Sequence, residues 1–215
     1  MSAVIQKNKP ISQFLEEERT INSTFFDRVA PRMWNEGFLF QQETSWILDR
    51  AGVDALLVHD AKIEYVDLKQ HMSDDVMKRH PQYAFELETG QHNDSSFRRS
   101  GWFLSENKVT DTYCFLFWAG KPSSITAMRV CLVRKNDIID KLSSLGIDIN
   151  KWREYIREKP VLYNGKKYWY LREKIRIVHS VGLPEQPYNI VVPCEYLRDV
   201  AIYDKLFVFR KTASA

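Results

Sequence analysis

The feature that most constrains this chain is a change of hydrophobic period near residue 54. Upstream, apolar residues recur at helical spacing. From Asp54 onward they come in short, dense runs. Asp54-Ala-Leu-Leu-Val-His59 is apolar and strand-length, Asp60-Ala-Lys62 is a turn, and Ile63-Glu-Tyr-Val-Asp-Leu-Lys69 is rich in β-formers. Two such runs on either side of a tight polar turn read as a β-hairpin. Residues two apart on a strand share a face, so Asp67 and Lys69 project together. The hairpin carries Asp54 toward Asp67 if the register is right. The sequence thus predicts two carboxylates and one ammonium converging at one edge of a sheet.

The rest of the chain surrounds this hairpin with both kinds of element. From Ile11 to about Arg50 the pattern is mainly helical. Ser23 or Thr24 caps a helix with Phe25, Phe26, Val29 and Met33 on one side, interrupted at Pro31 and Gly37. A second piece spans roughly Phe40 to Arg50 and stops at Gly52. His71 to Ser100 is irregular, with a short helix around Asp74–Arg79 and a flexible loop around Gly90–Ser96. Strands resume at Gly101–Leu104, Thr110–Ala119 and Thr126–Arg134. Helices follow at Asn136–Leu145 and Asn150–Glu158, then strands at Lys167–Leu171, Lys174–His179, Asn189–Val192 and Leu206–Phe209. That order predicts an α/β (α+β) protein with a central mixed β-sheet flanked by helices. The expected organisation is a flexible leader over 1–12, an α/β core over 13–159, and a β-rich extension over 160–215 packed on the core.

Several function classes are excluded. No run of about 20 apolar residues exists, so no transmembrane helix is expected, and the N-terminus lacks a signal-peptide pattern. The three cysteines, Cys114, Cys131 and Cys194, form neither a disulfide framework nor a zinc pattern. A cytoplasmic location and no membrane partner are the resulting expectations. There is no Gly-rich phosphate loop, no Gly-x-Ser-x-Gly elbow and no dinucleotide fingerprint. The net charge is only +3, but its distribution is uneven: residues 1–60 sum to −3 and residues 150–180 to +6. A concentrated basic region suits a polyanion such as nucleic acid.

The hairpin trio has a physical use in such a setting. Two carboxylates hold a hard cation such as Mg²⁺, which favours oxygen ligands and also binds phosphate oxygens. A bound cation polarises a scissile phosphate and lowers the pKa of its water. A lysine beside it orients the attacking water and stabilises developing negative charge. The placement also matters: Asp54 heads an apolar run and Asp67 sits inside Tyr65-Val-Asp-Leu, costly positions for an unpaired carboxylate.

An Asp at the start of one strand, followed on the next by an acidic residue, any residue and Lys, resembles the PD-(D/E)xK nuclease superfamily. Here the pattern is Asp54, then Asp67-Leu68-Lys69, with a gap of 13 between the acids. The resemblance covers roughly residues 36–70 and, with a strand-then-helix unit at 126–145, extends to about 145. Val53 precedes Asp54 where the family name has Pro, a position that varies. The resemblance implies a restriction-endonuclease-like core and Mg²⁺ (or Mn²⁺)-dependent hydrolysis of phosphodiester bonds, with DNA as the first choice of substrate and RNA open. Asp54 and Asp67 would bind metal, and Lys69 would position or activate water. Many members add a Glu from the preceding helix, for which Glu43 and Glu36 are candidates. A homodimer stays open.

Candidate substrate contacts lie outside the trio. Gln70 extends the second strand. Arg98 and Arg99 precede Gly101-Trp102-Phe103, a mixture of cations and aromatics that suits phosphates and bases. Lys108 lies where a neighbouring strand begins. Lys166, Lys167, Arg172 and Lys174 interleave with Tyr168, Trp169 and Tyr170. His59 and His71 flank the hairpin, where structural roles are the plainer reading. The alternative to a nuclease is a non-catalytic nucleic-acid-binding or protein-interaction module on the same fold.

Overall fold

The structure, a computed structural model, describes residues 11–43, 45–72, 82–91, 94–181, 183 and 185–209. The leader, apart from its last two residues, and the expected helix at 74–79 lie outside them. The polypeptide opens with α1 (Ile11–Thr24), which runs through a π-helical stretch at Phe25–Val29 into α2 (Ala30–Met33). No cap forms at Ser23 or Thr24. Thr24 keeps helical angles, and its hydroxyl donates to the Thr20 carbonyl at 2.9 Å. Pro31 lies in the first turn of α2, directly after the π-helical stretch. The helical run ends at Gly37, whose φ of 86° favours glycine.

Phe40–Arg50 is not one helix. Leu39–Gln42 is β1, and only Trp46–Arg50 is helical (α3). The reason is the period: Phe38 and Phe40 are buried, Leu39 and Gln41 exposed, which is strand alternation. Phe40 packs edge-on against Phe25 with ring centroids 5.1 Å apart. β2 (Ala55–His59) and β3 (Lys62–Met72) form the expected hairpin, turning at Asp60 and Ala61, both at positive φ.

After β3 come β4 (Gln82–Gln91) and β5 (Asp94–Ser100), strands where a flexible loop is expected at Gly90–Ser96. Gly101–Leu104, expected as a strand, consists of turns. β6 (Thr112–Lys121) and β7 (Ser124–Arg134) lead into α4 (Lys135–Ser144) and the short α5 (Trp152–Tyr155). The remaining strands are β8 (Val161–Tyr163), β9 (Lys166–Arg172), β10 (Ile175–His179), β11 (Tyr188–Pro193) and β12 (Ala201–Val208).

These strands make two six-stranded sheets. The first has the order β1-β2-β3-β6-β7-β12, with β3 and β6 parallel and the other pairs antiparallel. The second, β5-β4-β11-β10-β9-β8, is antiparallel throughout. The C-terminal segment is therefore interleaved with the rest: β8–β11 share a sheet with β4 and β5, and β12 completes the first sheet.

The first sheet is covered on both faces. Val66, Leu68, Cys114, Leu116, Met128 and Val130 pack against Ile21, Phe25, Val29 and Met33 of the helical layer. On the opposite face, Tyr113, Phe115, Phe117 and Cys131 meet Tyr83, Phe85, Ile177, Ile190 and Val192 of the second sheet. The helices thus flank one face, and a second sheet takes the other. A parallel β3–β6 pair requires a long crossover. Here β4, β5 and the loop after them supply it, and they lie on the face to which Asp67 and Lys69 point. That topology puts the second sheet beside the carboxylates.

Candidate functional site

β2 pairs with β3 so that Ala55 faces Val66. The Asp54 N–H donates to the Val66 carbonyl at 2.8 Å, so that Asp54 and Ala55 both face Val66 at the end of the ladder, a bulge beside Asp67. On the other side the Glu43 N–H donates to the Asp54 carbonyl at 2.9 Å, continuing the pairing of Gln42 with Ala55. Glu43 thus faces Asp54 at the end of β1–β2, and Asp54 adjoins Asp67 at the end of β2–β3.

Each carboxylate has a partner. Glu43 Oε1 accepts from the Ser45 N–H at 2.6 Å, and Asp54 Oδ2 accepts from the Leu68 N–H at 2.7 Å. Asp67 Oδ2 lies 2.8 Å from Lys69 Nζ. Asp67 is only 5 % exposed. Burial pushes its carboxyl up to about 7; Lys69 opposes the rise, and the charge of the adjoining Asp54 carboxylate adds to it. The Asp54 carboxylate is close enough to act on the Asp67 carboxyl.

The parallel pairing of β3 with β6 brings Tyr113 beside Asp67. The Tyr113 hydroxyl is buried and finds no hydrogen-bond partner among the described residues. Burial and the Asp67 charge both raise its pKa. Lys69 Nζ sits 4.4 Å from the centre of the Trp102 ring, and that ring packs edge-on against Tyr113 at 5.0 Å.

Lys69 opens into a cleft of about 810 Å³ whose walls include Glu86, Arg99, Trp102 and Lys108. Glu86, on β4, is the second raised carboxyl. Burial raises it, while a hydrogen bond from the Trp102 N–H and the charges of Lys69 and Arg99 act against the rise. Gly101 allows this wall to form, because a Cβ there would lie 2.3 Å from the Glu86 carbonyl oxygen. The far wall is pinned to the α3–β2 connection. Val109 N–H donates to the Ala51 carbonyl at 3.1 Å, Lys108 Nζ to the Arg50 carbonyl at 2.9 Å, and Thr110 Oγ1 to the Gly52 carbonyl at 2.8 Å.

The structure thus brings together Asp54, Asp67 and Lys69; of the three, Lys69 lines the cleft, together with Arg99 and Lys108, and the buried Asp67 lies behind it. Glu43 faces Asp54 from a strand end, not from a helix. Glu36 is elsewhere, paired with Lys205 at 2.5 Å. Gln70 is on the opposite face from Lys69, where its amide donates to Asn22 Oδ1 at 2.7 Å and to the Glu18 carbonyl at 3.1 Å. Arg98 pairs with the buried Glu88 at 2.8 Å. Arg172 donates to the Leu145 carbonyl and Lys174 pairs with Glu195. Lys166 and Lys167 open β9, three strands from β4. His59 stacks on Phe38 at 4.1 Å, and the side chain of His71 lies outside the described residues. Glu86, Trp102 and Tyr113 form part of the site without an Asp-x-Lys type of signal. The one local cue is Gly101-Trp102, a glycine beside a large aromatic.

Among the described residues no group of three or more His, Cys, Asp or Glu side chains converges closely enough to hold a metal ion. Two adjoining carboxylates do converge. A hard divalent cation suits them, because it removes the repulsion that burial makes costly. Mg²⁺ commonly takes one or two carboxylates and fills its remaining positions with water and substrate phosphate.

No family model matches the chain, and neither a curated protein nor a solved structure is similar enough to match it. No helix among the described residues is long and apolar enough to cross a membrane.

Proposed function

We propose that the protein is a metal-dependent nuclease that hydrolyses phosphodiester bonds where the Asp54–Asp67–Lys69 cluster meets the cleft lined by Lys69, on a restriction-endonuclease-like core. The observation that carries this reading is the close approach of two carboxylates, one buried and raised, with a lysine ammonium 2.8 Å from the buried one. A purely structural ion pair needs one acid and one base. A second carboxylate placed against the first works against folding unless something cationic binds there.

Asp54 and Asp67 are the residues that would hold Mg²⁺ or Mn²⁺. When bound, such a cation supplies Lewis-acid polarisation of the phosphate and a more acidic water. The chain's own groups do the rest. Lys69, fixed by Asp67 on one side and the Trp102 ring on the other, presents its ammonium to the cleft, where negative charge develops on the phosphate oxygens. Arg99 and Lys108 add positive charge along the cleft walls and hold the substrate backbone. Glu86, raised by burial and fixed by the Trp102 N–H, is placed to hold a proton near the reacting atoms. The strand-then-helix unit β7–α4 and the mixed order of the first sheet are in keeping with the core that the sequence resembles. DNA is the first substrate to test.

The test is metal-dependent stabilisation read beside cleavage. Mg²⁺ or Mn²⁺ is expected to raise the Tm of the wild type and leave Asp67→Asn unmoved, since a ligand that binds only the folded state stabilises it. Nucleic-acid binding with no response to metal would replace the nuclease by the non-catalytic module.

A further inference from the structure

We infer that the outer face of the second sheet, at β8–β10, is a platform for single-stranded nucleic acid, separate from the cleft. Trp169, Ile175 and Ile177 point into the core between the sheets. By strand alternation Tyr168, Tyr170, Arg176 and Lys166 point the other way. A tight turn at Asn164-Gly165, with φ of 49° and 69°, folds β8 back on β9 and pairs Tyr163 with Lys166.

The chemistry of that face is narrow. Tyr163 and Tyr170 are 63 % and 59 % exposed, far more than the tyrosines of the core. Tyr163 and Tyr168 have ring centroids 6.5 Å apart, and the Arg176 guanidinium lies 6.0 Å from the Tyr168 ring. β8, β9 and β10 contain no Asp or Glu, and Lys166, Lys167, Arg172 and Arg176 are their cations. Arg172 leaves the outer face because the register shift near Ile175 pairs it with that buried residue, and it reaches Leu145. What remains outside is a row of tyrosine rings with two positive charges, Lys166 and the Arg176 guanidinium held by Gln82, and no carboxylate on the strands. Flat π-faces beside cations fit unpaired bases on a phosphate backbone; a duplex keeps its bases stacked inside and offers only the backbone. An acidic protein partner would use the cations and leave the exposed rings without stacking partners.

The experiment uses the full chain with Asp67→Asn, in EDTA, so that cleavage plays no part. Binding of a fluorescent oligo-dT and of a duplex of equal length is followed by anisotropy across a salt series. The single strand is expected to bind more tightly than the duplex. Tyr163→Ala and Tyr170→Ala are each expected to weaken single-strand binding about tenfold with the salt slope unchanged. Lys166→Ala and Arg176→Ala are each expected to lower the log–log salt slope by about 0.7. Circular dichroism and Tm are read for every variant, and Tyr170→Phe, which keeps the ring, is expected to retain binding. Equal binding by the tyrosine variants, or preference for the duplex, overturns the platform. So does a shift from dimer to monomer in Tyr163→Ala with oligonucleotide binding intact, which would make the face a contact between two copies. An inactive wild type that still shows the tyrosine effect removes the cleft reading and leaves the platform standing. An active enzyme with no tyrosine effect does the reverse.

Discussion

Asp54 and Asp67 adjoin at the end of the β2–β3 ladder, with Lys69 as the ammonium that touches Asp67. Like charges held close together are destabilising, and burial enlarges the effect. The hairpin therefore carries a local instability that its hydrophobic neighbours Val66 and Leu68 must offset.

That relationship fixes a pH dependence for the metal-free protein. The Asp67 carboxyl lies at about 7 in the folded state against an ordinary 3.8. Between those values the folded state holds the extra proton, so stability falls as pH rises from about 4 to about 7. Asp67→Asn removes this decline. Thermal melts in EDTA across that range are expected to slope downward for the wild type and less so for the variant. At pH 8 the variant is expected to be the more stable of the two. Identical slopes would mean that Asp67 is ionised throughout.

Lys69→Ala is expected to lower cleavage by roughly 10²–10⁴ while metal-induced stabilisation persists, because Lys69 is not an oxygen ligand. Single-turnover cleavage and a metal titration of the same preparation check both halves. Loss of metal response together with activity would show that Lys69 acts by organising Asp67 and not by meeting the substrate.

The hairpin trio was legible in the sequence because everything that places it is local. The turn at Asp60-Ala61, the apolar run from Ala55 and the two-residue spacing of Asp67 and Lys69 all act within about twenty residues. Glu86 and Tyr113 were not legible, and Trp102 only as part of a cation–aromatic cluster and not as the ring beside Lys69, because they arrive through the long β3–β6 crossover and a parallel register that no short window encodes. β1 was misread since four residues carry too little periodicity to separate strand from helix, and Phe38 and Phe40 reveal their alternation only against Phe25. The β8–β9 hairpin did have a local sign, Asn164-Gly165, the pair that tight hairpin turns favour. Strand alternation alone puts Gln70 on the face opposite Lys69, but that α1 covers that face was not legible.

Arg98 illustrates how a surface cation in sequence becomes a structural one. It pairs with the buried Glu88, which Arg153 also contacts at 2.5 Å, and its guanidinium reaches the Gln186 carbonyl at 3.0 Å. Arg98→Ala is expected to destabilise the fold by about 2 kcal/mol, the scale of hydrogen bonds to a buried charge. For a chain of this size that is a Tm loss of roughly 4–8 °C. The salt dependence of oligonucleotide binding is expected to stay unchanged. A reduced salt slope with an unaltered Tm would return Arg98 to the substrate surface.

Gly101→Ala tests the wall between Glu86 and Trp102. The added methyl would lie 2.3 Å from a backbone oxygen, so the loop must shift. The expected effect is a loss of about 1–3 kcal/mol, typical of overpacking. Cleavage is expected to fall more than the stability loss explains, because Trp102 holds Lys69. An unchanged Tm and rate would mean that this wall does not position the lysine.

The most direct measurement is cleavage of plasmid, single-stranded DNA and RNA by purified wild type and Asp67→Asn, with Mg²⁺, Mn²⁺ or EDTA. The account expects metal-dependent cleavage of at least one substrate by the wild type, none in EDTA, and none by Asp67→Asn despite a native fold. Failure of the folded wild type to cut any of the three with either metal would contradict it, as would equal cutting by the variant.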